Sequence, residues 1–471
     1  MNILLVNPPR FRGNSVIREE RCERVEGHSV LEPYSLLQIA SILRNGGNEV
    51  YLIDANGEDI PYGEVESRMN GIDYDVLIFR FTPTTFDSDM HTTKISKEIR
   101  PTAKTVGICF TLRDLAREVM NDAKDLDIYV RHEYEVVVPL LIENINSLGR
   151  IEGIAYRDNG EIIINDNAKP IEDYDSLPIP AYDLLSSINL YHIDVPHGKP
   201  FTILYSSKGC PFNCIYCTVS GTKLKKKSAG KIIDEIRHLK ENYGIKTISF
   251  FDETFTIDRR RVSDICNEMK YLDITWYCNS RSDLVDPELL MEMRKAGCRG
   301  ISFGIESGSQ RILDNALKGV SVEQNANAIK WTKDAGIKVN CSFIVGLPGE
   351  NKKTIKETTD FIKKRLPTGA EFNIAIPYPG TELYSIYERR GFIKNPEWRD
   401  MYQDTAFYGT DELSPEELDS ARRKLYMNLF LNPRWILQNV HYVLRNPQDF
   451  MLATRYFFKY VVEGFFRNWK V

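Results

Sequence analysis

Three cysteines lie within eight residues of one another and form the tightest group of potential metal ligands in the sequence. Cys210, Cys214 and Cys217 are spaced C-x3-C-x2-C in the stretch SSKGCPFNCIYCT. Three thiolates can bind zinc or an iron–sulfur cluster. Zinc usually takes four ligands, and His192 and His197, which precede the loop, are not at finger spacing. A [4Fe–4S] cluster held by three cysteines leaves one iron open, as a chemically active cluster requires.

Composition and charge narrow the class of protein. The chain has 471 residues, 42% of them hydrophobic, which is enough for two or three packed domains. Its formal net charge of −5 gives no basic surplus that would indicate a nucleic-acid partner. MNILLVNPP reads as a buried strand rather than a signal peptide, and no apolar run is long enough to span a membrane. We therefore expect a cytoplasmic protein with reduced thiols and no disulfide framework.

The elements that must position the cysteines alternate between strands and helices. From residue 200 the strand patterns are PFTILYSS, KTISFFDE, ITWYCNSR, GCRGISFGIE, KVNCSFIVG and EFNIAIPY, separated by helical patterns such as GKIIDEIRHLKENYG. Six strands with right-handed crossovers predict a (β/α)6 partial TIM barrel, with the cysteine loop directly after its first strand. After about residue 390 the strand patterns stop, and the rest reads as helical and rich in aromatic residues.

A second alternation occupies the first part of the chain. Short apolar runs at 2–7, 49–54, 75–80, 104–109 and 127–131 are separated by helical patterns. Such runs predict an α/β, Rossmann-like domain with a parallel sheet covered on both faces. Ligands of these sheets bind at the carboxyl ends of the strands.

The intervening stretch predicts a domain boundary. IEGIAYRDNGEIIIND reads as a hairpin with an Asn-Gly turn, and YDSLPIPAYDLL reads as a linker. We therefore predict four parts: a Rossmann-like domain at 1–150, a hairpin and linker at 151–195, a partial barrel at 196–390 and a helical C-terminal domain at 391–471.

The cysteine spacing, with Tyr216 before the last cysteine and a barrel strand before the loop, resembles the radical SAM superfamily. The resemblance implies that Cys210, Cys214 and Cys217 bind a [4Fe–4S] cluster whose open iron chelates S-adenosylmethionine (SAM). One-electron reduction would then cleave SAM to a 5′-deoxyadenosyl radical, which abstracts hydrogen from an unactivated carbon. A zinc knuckle or accidental spacing is the alternative.

The resemblance also implies SAM contacts at later strand ends. Asp252 and Glu253, in FFDETF, stand where the family contacts the methionine amino group. Arg281, in RSD, is a cation suited to the SAM carboxylate. Each carboxylate taken alone is more often a solvated strand end or a helix cap.

Further positions follow the fourth, fifth and sixth strands. Glu306 and Ser307, in FGIESGS, stand where the ribose hydroxyls and the amino group need acceptors. Val345 and Gly346, in FIVGLPGE, resemble the motif that packs on adenine. Tyr378, beside the sixth strand end, is a candidate catalytic donor of hydrogen or a proton.

The first part of the chain resembles the cobalamin-binding domain that precedes many radical SAM domains. NPP followed by LEPYSLLQIASILRNGGNEVYLIDAN carries this resemblance, which therefore extends over residues 1 to about 390. No G-x-G-x-x-G dinucleotide motif follows the first strand. The resemblance implies cobalamin contacts from Pro8, Pro9, Asp54, Asn56, Arg80, Phe81, Thr82, Gly107 and Ile108.

One departure concerns the cobalt ligand. Corrinoid domains that ligate cobalt with histidine use D-x-H-x-x-G, which is absent here. His91 follows Asp89 by two positions but lies in a predicted helix, so we interpret it as a surface or core histidine. We expect cobalamin without a protein imidazole, with Arg80 or Phe81 disfavouring a sixth ligand. A shell without cofactor is the alternative.

Together the resemblances imply a cobalamin-dependent radical SAM C-methyltransferase that transfers a methyl group from methylcobalamin to an unactivated carbon. The alternatives are a cobalamin-binding radical SAM cyclase or ring-rearranging enzyme acting on a lipid or tetrapyrrole, and a non-catalytic corrinoid-binding regulator. A methylthiotransferase is disfavoured, because its N-terminal domain brings three further cysteines where this chain has Cys22 and Cys109.

The partners follow from the same reading. An external one-electron donor of flavodoxin or ferredoxin type is implied, and the substrate is a small molecule, a lipid, or a protein or peptide. One family role is Cα-methylation of a glutamine in methyl-coenzyme M reductase. The C-terminal RYFFKYVVEGFFRNWKV reads as an amphipathic helix that packs on the barrel, contacts a membrane surface or binds a protein segment. We interpret KLKKKS, at 223–228, as a solvated flap.

Overall fold

A computed structural model describes residues 1–19, 24–26, 29–193, 198–393 and 398–445. Cys22, His197 and the C-terminal aromatic segment that the sequence singles out lie outside these ranges. Within them, no helix has the length and apolar character needed to cross a membrane.

The first half of the chain contains nine described strands and six described α-helices. The strands are β1 (Asn2–Asn7), β2 (Ser15–Ile17), β3 (Arg24–Glu26), β4 (Glu49–Asp54), β5 (Val76–Arg80), β6 (Lys104–Ile108), β7 (Ile128–Val130), β8 (Ile154–Asp158) and β9 (Glu161–Ile164). The helices are α1 (Tyr34–Asn45), α2 (Ala55–Glu58), α3 (Tyr62–Asn70), α4 (Phe86–Ile99), α5 (Ala116–Asp122) and α6 (Tyr134–Glu143).

Seven of these strands form one sheet in the order β4-β1-β5-β6-β7-β8-β9. The first five are parallel, whereas β8 and β9 are added antiparallel at the edge. The apolar runs explain the two covered faces: in β1, Leu4 and Val6 enter one core while Ile3 and Leu5 enter the other. The predicted hairpin is confirmed, and it belongs to this sheet.

The second half of the chain forms the partial barrel and a helical region. The strands are β10 (Phe201–Leu204), β11 (Ser207–Lys208), β12 (Lys225–Lys226), β13 (Thr247–Phe250), β14 (Thr275–Ser280), β15 (Cys298–Glu306), β16 (Lys338–Val345) and β17 (Gly369–Ile374). The helices are α7 (Ala229–Tyr243), α8 (Arg259–Met269), α9 (Pro287–Lys295), α10 (Gln310–Asn315), α11 (Val322–Asp334), α12 (Lys352–Arg365), α13 (Glu382–Arg389), α14 (Pro415–Phe430) and α15 (Pro433–Arg445).

Six strands pair in parallel in chain order, β10-β13-β14-β15-β16-β17, as the sequence predicts. Side chains on β14, β16 and β17 alternate between buried and half-buried. The buried set is apolar apart from Ser280, and the half-buried set is mostly polar, with Ile344 as an exception. Asn340 donates to Ser302 and Asn373 donates to Ser342, each at 3.3 Å, so neighbouring strands are bridged on this face. The sheets and helices confirm the predicted α/β class, and α14 and α15 confirm a helical C-terminal region.

Local signals in the sequence fix several helix boundaries. Ser228 caps α7 by accepting from the backbone of Lys231, and Gly244 ends the helix with φ of 63°. Ser414 and Glu417 form a capping box at the start of α14. These caps fix where the helices begin and end around the barrel.

The lysine run at 223–228 differs from the solvated flap expected. Lys225 and Lys226 form β12, and Lys227 is buried, with its ammonium 2.6 Å from Glu235. Lys227 can be buried because its ammonium meets the Glu235 carboxylate.

Candidate functional site

The three cysteines lie on a loop between β11 and β12, beyond the carboxyl end of β10. The backbone N–H of Cys217 donates to the carbonyl of Cys214 at 3.2 Å. Gly209 begins the loop with φ of +90°, and a Cβ there would lie 2.2 Å from the carbonyl oxygen of Lys223. A glycine is therefore needed for the two sides of the loop to approach this closely.

Ile215 anchors the loop to the barrel. Its N–H donates to the carbonyl of Ala316 at 3.2 Å, and its carbonyl accepts from the N–H of Leu383 at 2.9 Å. Its side chain packs in an apolar cluster that includes Leu347. The cysteine loop is thus tied to the segments that follow the fourth, fifth and sixth barrel strands.

The thiols are largely withdrawn from water. Cys214 is 7% exposed, and Cys210 and Cys217 are partly buried. Burial raises the pKa of Cys210 and raises the pKa of Cys217 to about 12, so both are neutral thiols at pH 7 in the absence of metal. Binding of iron would displace these protons, because the thiolate is the ligand.

The donor set is compatible with an iron–sulfur cubane. In the described part of the chain, no three His, Cys, Asp or Glu side chains converge to hold one metal ion. In a cubane each thiolate binds a different iron, so three cysteines on one loop fit a [4Fe–4S] cluster with one iron left open.

Asp252 and Glu253, which follow β13, have different surroundings. Asp252 is fully buried and accepts from the N–H of Ser206 at 2.8 Å and the hydroxyl of Ser207 at 2.6 Å. It therefore ties the segment before the cysteine loop to β13. Glu253 accepts from the N–H of Gly209 at 3.2 Å, so its carboxylate lies at the cysteine loop itself.

Arg281, which follows β14, also contacts the cysteine loop. Its guanidinium donates to both carboxylate oxygens of Asp283, at 3.0 and 3.1 Å, and to the carbonyl of Lys318 at 2.8 Å. A further N–H points at the sulfur of Cys214 at 3.9 Å, and the guanidinium carbon lies 3.7 Å from the centre of the Phe212 ring. Binding of a SAM carboxylate by this side chain stays a prediction.

Glu306 and Lys318 form a buried ion pair beside the loop. Glu306 has φ of 62°, a left-handed conformation that costs a residue other than glycine about 1–2 kcal/mol. Its carboxylate lies 2.8 Å from Lys318 Nζ, which is 3.5 Å from the hydroxyl of Tyr216. Burial acts to lower the pKa of Lys318, but Glu306 and Cys214 outweigh it and the pKa is raised. Sequence reasoning missed Lys318. The only local signal is Gly304, because a side chain at that position would occupy the space of the Glu306–Lys318 ion pair.

The remaining barrel positions lie at the same end. Ser307 is buried and shares a hydrogen bond of 3.1 Å with Thr358. Val345 is buried, and Gly346, with φ of +98°, donates to Glu350 at 2.6 Å. Burial raises the pKa of Glu350 to about 7.

Tyr378 lies in the segment between β17 and α13. Its hydroxyl accepts from the side-chain amide of Gln403 at 3.2 Å, which links the barrel to the segment before α14. The proposed donor role of Tyr378 stays a prediction.

The carboxyl edges of the two parallel sheets face each other. Arg113, after β6, donates to the carbonyl of Thr218 at 3.1 Å, one residue beyond the last loop cysteine. Lys208 forms a buried ion pair with Glu135 at 2.6 Å. Ligands at the two edges would therefore be neighbours.

The predicted cobalamin contacts after β1 and β4 are buried and bonded within the chain. Asp54 accepts from Asn7 and from the hydroxyl of Tyr191, both at 2.7 Å, and burial raises the pKa of Asp54. Asn56 accepts from the N–H of Val16 at 2.7 Å. The carbonyls of Pro8 and Pro9 accept from Arg18 at 2.9 and 3.0 Å.

The predicted contacts after β5 and β6 are enclosed as well. Arg80 lies 4.0 Å from the Glu19 carboxylate, and the hydroxyls of Thr82 and Thr85 are 2.8 Å apart. Phe81 packs in the core, where a Cβ on Gly107 would lie 3.0 Å from its ring. Ile108 is also buried. His91 is exposed on α4, as expected.

A cavity borders this edge of the first sheet, between β1, β5 and the segment before α1. Its volume is about 10 Å³, which holds about one water molecule. Its polar lining includes Asn7, Arg18, Glu19, Glu32 and Arg80. A corrin is far larger than this cavity, which therefore does not itself hold one.

Comparison with known proteins identifies the class. A model of the radical SAM superfamily matches residues 204–362, which include the cysteine loop and the second to fifth barrel strands. An uncharacterized methyltransferase of Pyrococcus horikoshii, PH0819, is 31% identical over 453 residues, covering 93% of this chain and 95% of that protein. The chain belongs to the radical SAM superfamily.

Two further comparisons bear on the architecture. An anaerobic magnesium-protoporphyrin IX monomethyl ester cyclase of Rubrivivax gelatinosus is 30% identical over 370 residues, covering 75% of this chain and 65% of the cyclase. The cobalamin-dependent SAM radical enzyme OxsB, solved with aqua-cobalamin and SAM bound, superposes with a TM-score of 0.71 at 17% identity. That superposition covers 96% of this chain and 70% of OxsB, so the fold extends over both domains.

Proposed function

We propose that the protein is a cobalamin-dependent radical SAM methyltransferase that methylates an unactivated carbon. The observation that carries the proposal is the three-cysteine loop at the carboxyl end of a parallel barrel, facing the carboxyl edge of a second parallel sheet. The match to PH0819 over 93% of the chain and the fold shared with OxsB support it.

The chain's own residues would bind and orient the reactants. When bound, the cluster and SAM would supply a 5′-deoxyadenosyl radical, and cobalamin a transferable methyl group. Cys210, Cys214 and Cys217 would each hold one iron. Glu253 and Glu306 lie beside the loop, where their carboxylates would orient the amino and hydroxyl groups of SAM. Such positioning accounts for much of an enzyme's rate enhancement when reactive groups must meet in one geometry.

Cleavage of SAM tests the cluster assignment. Protein reconstituted without oxygen with iron and sulfide, and reduced with dithionite, should form 5′-deoxyadenosine, measured by mass spectrometry. Cys210→Ala should abolish this product, whereas Cys266→Ala, which removes a buried thiol on α8, should keep it. Formation of 5′-deoxyadenosine by Cys210→Ala at the wild-type rate would refute the assignment.

Binding of hydroxocobalamin tests the second cofactor separately. The proposal predicts that cobalamin absorbance co-elutes with the protein on gel filtration and persists in Cys210→Ala. A protein that retains no cobalamin under any reconstitution would contradict this half of the proposal.

A ring-forming reaction is the second candidate, favoured by the 30% identity with the magnesium-protoporphyrin cyclase. SAM carrying a trideuterated methyl group separates the two outcomes. A methyltransferase product carries the label, whereas a cyclised or rearranged tetrapyrrole or lipid does not. A glutamine-containing peptide of methyl-coenzyme M reductase is the probe for the proposed protein substrate. The flavodoxin- or ferredoxin-type donor is tested by replacing dithionite in the same assay.

A further inference from the structure

A cation lies directly against the middle cysteine of the loop. Arg281 points an N–H at the sulfur of Cys214 at 3.9 Å, and its side chain is 6% exposed. On the same loop, the ring of Phe212 lies 3.7 Å below the guanidinium carbon. This placement is not that of a surface arginine, because it combines burial, stacking and a sulfur acceptor.

The guanidinium is fixed by contacts that leave it little freedom. Asp283 accepts from two of its nitrogens at 3.0 and 3.1 Å, and the carbonyl of Lys318 accepts at 2.8 Å. Because these acceptors fix the planar guanidinium, its remaining N–H group stays directed at the sulfur of Cys214. A lysine could keep the charge but not the fork or the stacking.

A second cation lies beside the cysteine loop. Lys318 Nζ is paired with Glu306 at 2.8 Å and lies 3.5 Å from the hydroxyl of Tyr216, a residue of the loop. The two cations are linked, since the Lys318 carbonyl holds Arg281. Two cations, Arg281 and Lys318, and two carboxylates, Asp283 and Glu306, therefore lie beside the loop, and all are largely buried.

Charges at this distance act on the redox state of a cluster. Reduction adds one negative charge, and a neighbouring cation in a poorly solvated site stabilises the more negative state. Hydrogen bonds to cysteine sulfur and local net charge are among the factors that set the potential of an iron–sulfur cluster.

We infer that Arg281 is a positioning residue that holds Cys214 and raises the reduction potential of the cluster, with Asp283 opposing it. The inference rests on the proposed function, because it requires a cluster on this loop. It assigns to Arg281 a role beyond the SAM-carboxylate contact implied by the family resemblance, and the role is exerted without SAM.

A redox titration without SAM or substrate tests the inference. The reconstituted wild type, Arg281→Gln, Arg281→Lys and Asp283→Asn are poised at defined potentials, and the reduced cluster is measured by electron paramagnetic resonance. At the wild-type midpoint, Arg281→Gln should shift the ratio of reduced to oxidised cluster about tenfold toward the oxidised form, equal to 59 mV. Arg281→Lys should shift it less, and Asp283→Asn should shift it toward the reduced form.

Opposite signs separate this role from a merely structural one, because misfolding would not move the two variants in different directions. Arg299→Gln, at the start of β15 away from the loop, is the matched control and should leave the ratio unchanged. Unchanged ratios in Arg281→Gln and Asp283→Asn, or shifts of the same sign, would overturn the inference. If Arg281→Gln fails to hold iron, Asp283→Asn decides alone. A wild type that binds no cluster would instead overturn the proposed function.

Discussion

Substitution of Gly209 by alanine is the sharpest test of how the chain builds the cysteine loop. Gly209 has φ of +90°, and an added Cβ would lie 2.2 Å from the carbonyl oxygen of Lys223. The contact is with backbone, so no side chain can move aside. The β11–β12 pair, in which Lys208 lies opposite Lys225, must open to admit the methyl group.

The expected cost follows from two terms. A left-handed conformation costs a residue other than glycine about 1–2 kcal/mol. Opening of the adjacent strand pair exposes backbone groups and adds on the order of 1 kcal/mol. We therefore expect the free energy of unfolding to fall by about 2–3 kcal/mol and the iron bound per chain to fall by more than half.

Urea unfolding followed by circular dichroism measures the first quantity, and iron analysis after anaerobic reconstitution measures the second. Gly230→Ala, in the first turn of α7, is the control because its Cβ would meet nothing within 4 Å. This control should gain up to about 1 kcal/mol from helix propensity and keep its iron. If Gly209→Ala matched Gly230→Ala in both measurements, the reasoning about the loop backbone would be wrong.

Two further predictions concern buried carboxylates. Burial raises the pKa of Glu32 from 4.5 to about 7, so the folded state keeps a proton that the unfolded state loses, and stability falls as pH rises through this window. Glu32→Gln keeps an acceptor for Thr202 and Ile203 without the charge, so its unfolding free energy relative to wild type should rise by on the order of 3 kcal/mol between pH 4.5 and pH 8. A difference in urea unfolding that is constant with pH would contradict this. Glu135→Gln leaves the Lys208 ammonium buried without its carboxylate and should cost about 3 kcal/mol, whereas Asp360→Asn, in an exposed pair, should cost less than about 0.5 kcal/mol. Equal costs in chemical denaturation would refute the buried-pair argument.

The sequence predicted the strands and their layers because the information is local. Apolar runs such as NILLVN coincide with β1, and the Asn159–Gly160 turn forms with φ of 48° and 87°. The cysteine loop could be predicted for the same reason, since three ligands and their spacing lie on one short stretch.

The partners of the site residues could not be predicted, because they come from distant parts of the chain. Asp252 accepts hydrogen bonds from Ser206 and Ser207, which lie 46 and 45 residues away in sequence. Lys318 forms its ion pair with Glu306 on the other side of α10 in the sequence. The sequence around a carboxylate at a strand end does not reveal whether that carboxylate binds a ligand or is hydrogen-bonded within the chain.

The contacts that cover the carboxyl edge of the first sheet could not be predicted either, because they also join distant residues. The buried ion pair of Arg18 with Asp89 joins residues 71 apart in sequence. No periodicity or motif around either residue signals that pairing, so the sequence alone suggested an edge more open than the structure has.

The antiparallel pair β8–β9 has a practical consequence for dissecting the protein. A fragment that ends at residue 150 would lack β8, so β7 would become an edge strand with unpaired backbone donors and acceptors. Exposed edge strands next to apolar side chains promote self-association. A fragment extended through Asp166 would retain β8 and β9, because the carbonyl of Asp166 accepts from the N–H of Gly153. This longer fragment should stay monomeric at concentrations where the shorter one precipitates.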